Sequence, residues 1–89
     1  MVPIVALTNK DIVEIANCLY EQIEVENGSD QQLSTTFSAS NAEGEITAMF
    51  FCGSVMVEGY KAIDEDSKEM AMLDADLTSI EEIINNKLV

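Results

Sequence analysis

The 89-residue chain contains no histidine, no arginine and no tryptophan. Without histidine, the side chain that most often serves as a general base near neutral pH is missing. Without arginine, there is no bidentate clamp for phosphate or carboxylate. The only four bases are Lys10, Lys61, Lys68 and Lys87, set against 17 acids. There are two cysteines, Cys18 and Cys52, with no C-x-x-C and no histidine beside them, which excludes a zinc pattern. Proline occurs once, at Pro3, so the rest of the chain is free to form regular elements. No apolar run is long enough to cross a bilayer, and the apolar start Val2–Leu7 lacks the basic flank of a secretory leader. A cytoplasmic location with two reduced, unpaired thiols is therefore expected.

What is present is acid and core. The formal net charge is −13, with −6 in the first 44 residues and −7 in the last 45, so the whole surface is negative rather than one tail. Such a field repels phosphate backbones and anionic lipid, which argues against direct nucleic-acid or membrane binding. It favours basic partners, or serves only solubility. A hydrophobic fraction of 47% argues for a packed core and against disorder. At this length one acidic α+β domain over residues 1–89 is expected.

The centre of the pattern is Ile46–Val57, ITAMFFCGSVMV, twelve residues without a charge and rich in β-branched, aromatic and sulfur side chains. Gly53-Ser54 divides it, either as a two-residue hairpin turn or as a bulge in one long strand; the hairpin fits ordinary strand lengths better. Before it, Leu33–Ser40 alternates cleanly, with Leu33, Thr35, Phe37 and Ala39 on one side. Asn41-Ala42-Glu43-Gly44 reads as the turn into Glu45–Cys52, which would set Phe37 opposite Ala48 and Leu33 opposite Cys52. Cys52 then reads as a small core residue. Val55–Asp64 follows, with a bulge or bend at Glu58-Gly59, and Glu69–Leu73 reads as a fourth strand.

Two helices flank these strands. Thr8 and Asp11 form an acidic capping box, with Leu7 and Ile12 spaced as a hydrophobic staple. Ile12, Ile15, Ala16, Leu19 and Ile23 make one buried stripe, and Gly28 marks a stop after about Glu26. The second helix is expected from a Thr78–Glu81 box to about Lys87. The expected architecture is a four-stranded antiparallel meander with both helices on one face, α-β-β-β-β-α.

No constellation in the chain points to chemistry. Neither Asp64 nor Asp74 opens an EF-hand loop, since glycine is missing at the sixth position and glutamate at the twelfth. A cysteine nucleophile would lack a base. No enzyme activity, cofactor or metal is expected. The second face of the sheet is the informative feature. Thr47, Met49 and Phe51 share the side of Ser34, Thr36 and Ser38, and Met56 joins Phe51 across the Gly-Ser turn. The bulge decides whether Tyr60 with Leu73, or Met70 with Met72, extends that side. Two helices cover one face only, so Met49, Phe51, Met56 and Tyr60 are the candidate surface for a protein partner or a second copy, a homodimer included.

A different class of function rests on Asp11, Glu14, Glu21, Asp64, Glu65 and Asp66 as an acidic surface. In size, charge and a helix-flanked sheet the chain resembles the small DNA-mimicking inhibitors that phages direct against uracil glycosylases and CRISPR complexes. No motif carries residues across. The resemblance implies carboxylates set in rows that occupy a basic groove on a target protein.

Overall fold

A computed structural model describes residues 2–24 and 30–88. The elements run α1 (Asn9–Glu21), β1 (Gln31–Ser38), β2 (Glu43–Phe51), β3 (Ser54–Ile63) and α2 (Asp74–Leu88). The sheet is antiparallel in the order β1-β2-β3, with α1 packed on β1, α2 on β3 and the two helices on each other. Among the described residues the architecture is α-β-β-β-α, with three strands rather than four.

The missing strand is Glu69–Leu73. It pairs at single points only, Glu69 antiparallel to Ile63 and Ala71 parallel to Ile4. Met70 and Met72 turn inward to 6% and 5% exposure, and the chain then enters α2. The Leu73 carbonyl accepts from the amides of Asp76 and Leu77, so the helix begins at Asp74, four residues before Thr78. Asp74 and Asp76 in its first turn complement the positive end of the helix dipole. Thr78 therefore lies inside α2 and caps nothing.

The start of α1 follows its sequence signature. The Asp11 amide donates to Thr8 Oγ1, and the Thr8 amide donates to Asp11 Oδ2 at 3.0 Å. Ile12, Ile15, Ala16 and Leu19 are buried. The helix closes earlier than expected, with Gln22 as its C-cap; the proposed stop at Glu26–Gly28 lies outside the described residues.

Register differs from expectation by four positions. Phe37 pairs with Gly44 and Leu33 with Ala48, because Glu43 and Gly44 belong to β2 rather than to the turn. A Cβ on Gly44 would lie 2.0 Å from the Lys61 carbonyl oxygen, so the glycine is there to admit the neighbouring backbone. A shift of four preserves which face each side chain takes. Leu33, Phe37, Ile46, Ala48 and Phe50 accordingly join Ile15, Leu19, Ile80 and Ile84 in one core under the helices.

Between β2 and β3 the turn is Cys52-Gly53, one residue earlier than Gly53-Ser54. Both take positive φ, 51° and 82°, as a tight hairpin of this kind requires. Cys52 therefore leaves the core and stands exposed at the tip, and Cys18 is exposed as well. Both are free thiols.

Side chains close what the short sheet leaves open. Asn85 of α2 accepts from the Val55 amide (2.8 Å) and donates to the Val55 carbonyl (3.2 Å), while Glu81 accepts from the Val57 amide. Gln22 does the same for Ser34 on the opposite edge, at 3.2 and 2.7 Å. Gln31 pairs with both backbone groups of Glu24, and Asn41 bridges the Ala6 amide and the Ile4 carbonyl. Each amide supplies one donor and one acceptor in the spacing of a strand residue. Among the described residues no buried side-chain polar atom lacks a partner.

Candidate functional site

The face of the sheet away from both helices is read off the strand register. From the hairpin tip inward its rows are Phe51 opposite Ser54, then Gln32, Met49 and Met56, then Ser34, Thr47 and Gly59. Thr36, Glu45 and Lys61 follow, and Ser38, Glu43 and Ile63 make the last row. The face is thus graded: apolar at the tip, hydroxylic in the middle and charged at the far end.

Three of the four expected contact residues come together at the tip. Met49 and Met56 are direct cross-strand partners, and Phe51 stands one row further out. Phe51 is 51% exposed and Met56 64%, while Met49 is half-buried between its neighbours. Two large apolar side chains half in water on adjacent strands are not explained by the core, which lies wholly on the other face.

Tyr60 sits elsewhere. The irregularity between Thr47 and Ala48 inserts Glu58 into β3, so Thr47 pairs with Gly59 while Ala48 pairs with Val57. One extra residue reverses the alternation, and Tyr60, opposite Ile46, turns to the helix side. It packs against the core, and its hydroxyl accepts from the Met72 amide at 3.1 Å. Met70 and Met72 also point to the core, so neither expected extension of the open face occurs; Leu73 is 48% exposed but follows the last bridge.

The six acids fall on two separate elements and into two kinds. Asp11 is held by the α1 cap. The Asp64 Oδ1 accepts from the amides of Asp66 (2.8 Å) and Lys68 (3.0 Å), closing the turn after β3 around Ser67 at φ 62°. Those two carboxylates organise their own backbone. Glu14 and Glu21 on α1, and Glu65 and Asp66 in the turn, are exposed.

The sequence pattern does not reveal the residues that close the sheet. Glu81 is expected as the capping-box partner of Thr78 but instead holds the Val57 amide, Asn85 falls on the polar side of α2, and Gln22 follows the last turn of α1. Polar helix residues read as water-facing by periodicity, and only the three-dimensional edge of the sheet identifies their partners.

Among the described residues no three acidic or cysteine side chains converge to hold a cation. The exposed Cys52 has no histidine anywhere in the chain to activate it. No helix among the described residues is long and apolar enough to cross a membrane. Comparison with protein-family models, with curated proteins and with solved structures finds no match for this chain.

Proposed function

We propose that this chain is a non-enzymatic, acidic interaction protein that binds another protein, or a second copy of itself, through the apolar end of its open sheet face. Met49, Phe51 and Met56 form the contact. The observation that carries this reading is the half-exposed pair Phe51 and Met56 on the face that neither helix covers. Complete burial of each from water is worth about 1.5–3 kcal/mol, so covering the remaining exposed part of both contributes a few kcal/mol to an interface. Aromatic and methionine side chains are also the types enriched at such contacts. The same reading places the chain in the cytoplasm, where two exposed thiols stay reduced.

Charge mimicry of a nucleic acid is the rival, and the arrangement of the acids supports it less well. Two of the six acids are spent on local turns and the rest divide between α1 and the loop after β3. Apolar contacts survive added salt, whereas contacts made by charge weaken steeply.

Sedimentation of the wild type and of Phe51→Glu over a range of concentrations tests the self-association form of the proposal. The expected result is a wild-type dimer and a folded monomeric variant. If both are monomers, the self-association form fails; if both are equally dimeric, this surface is not the contact.

A further inference from the structure

We infer that the outer edge of β1 between Thr36 and Ser38 receives an extended, basic peptide segment of another protein as an added strand. The inference is independent of the Met49–Phe51–Met56 contact, which lies toward the other end of the sheet.

The two sheet edges are not treated alike. On β3, Asn85 occupies both outward groups of Val55 and Glu81 the outward amide of Val57, and at the far end the Ala62 carbonyl accepts from the Met70 amide. On β1, among the described residues, only Ser34 is covered, by Gln22. Ser34 directs both backbone groups outward, and the β1–β2 ladder has no bulge, so Thr36 and Ser38 do the same. The inward position of Ala39, whose amide donates to the Ala42 carbonyl, agrees with this alternation. Among the described residues the Thr36 carbonyl accepts only from the neighbouring Thr35 hydroxyl, at 3.3 Å, and the outward amides of Thr36 and Ser38 have no partner.

Free edges are ordinarily blunted by charge, proline or a bulge. Here Gln31–Ala42 runs twelve residues with no charge and no proline, in a chain of 21 charged residues. Both side chains at the open stretch, Thr36 and Ser38, are short and exposed. Directly beyond them on β2 stand Glu45 and Glu43, opposite Thr36 and Ser38 respectively. A strand laid along β1 with lysines at alternate positions would pass their long stems over the two hydroxyl side chains toward those two glutamates. Its intervening positions would face the helix side, beside Phe37, and suit apolar residues. A second copy of this chain fits worse as occupant, because it carries the same −13.

The test uses the full chain, labelled with ¹⁵N, and a seven-residue peptide of alternating lysine and valine. Amide hydrogen exchange at Thr36 and Ser38 is expected to slow by about tenfold or more at saturating peptide. The same peptide with proline at its centre keeps most of the charge but cannot pair, and should slow neither. Thr36→Pro removes an outward amide that β2 does not use, and should abolish the effect. Gln22→Ala frees Ser34, lengthens the open edge and should tighten peptide binding several-fold, a gain that misfolding cannot imitate. Unchanged exchange at Thr36 and Ser38, or equal slowing by the proline peptide, would overturn the inference. So would slowing that appears on raising protein concentration alone, which would make a second copy the occupant. Slowing confined to Met49 and Phe51 would support the tip contact and sink the edge.

Discussion

Single residues carry more of this structure than their types suggest, and Gly44 is the strongest case. Its missing Cβ is the space into which the Lys61 carbonyl comes, 2.0 Å from where a methyl group would begin. Gly44→Ala should therefore destabilise by several kcal/mol or prevent folding, since strand backbone rather than a flexible side chain must move. Urea titration measures this; a loss under about 1 kcal/mol would mean that β2 and β3 do not approach as described. At the hairpin tip the reverse holds. Cys52 occupies left-handed backbone at φ 51°, which costs a non-glycine residue about 1–2 kcal/mol, and Asn-Gly is the preferred pair there. Cys52→Asn should raise the urea midpoint, and no change or a fall would count against a turn with two positive φ angles. Both cysteines should react with a thiol reagent in the native state, because both are exposed. A protein that reacts only after denaturation would place Cys52 back in the core, where the sequence alternation alone puts it.

The elements show which signals were legible and which were not. The α1 start was legible, because Thr8, Asp11 and Ile12 act within a single turn and need no tertiary partner. The sides of the strands were legible too, because alternation survives an even slip in register. Turn placement was not: Gly44 and Gly53 each have two meanings, a bend or a close approach, and the neighbouring strand decides between them. The fourth strand failed for a related reason. Glu69–Leu73 has strand-like alternation, but only its first half reaches β3, and Asp74 and Asp76 draw the rest of the segment toward a helix. The side-chain amides at the sheet edges had no sequence signal at all. Asn85→Ala should leave the Val55 amide and carbonyl half-buried without partners, a loss of about 1–3 kcal/mol, while Asn86→Ala, one position on and exposed, should cost within about 0.5 kcal/mol. Equal effects of the two substitutions would show that α2 does not close the edge of β3.

At the scale of the whole molecule, 42 × 20 × 19 Å, the core and the candidate contact lie on opposite faces of one sheet. That separation lets Met49, Phe51 and Met56 be read together from the alternation, whereas the extra residue in β3 carries Tyr60 to the helix side. It also predicts that the contact can be changed without touching the fold. Phe51 is outside the core, so Phe51→Glu should shift stability little while introducing a charge where an apolar partner would sit. Glu14→Gln with Glu21→Gln removes two exposed carboxylates and should be similarly harmless to folding.

The most direct measurement immobilises the wild type, Phe51→Glu and the Glu14→Gln/Glu21→Gln pair, and captures partners from the native host at low and high salt. One specific complex should persist in high salt on the wild type and on the double variant and be absent from Phe51→Glu. A complex retained by Phe51→Glu, but lost at high salt and lost from the double variant, would contradict the tip contact and leave the acids as the functional surface.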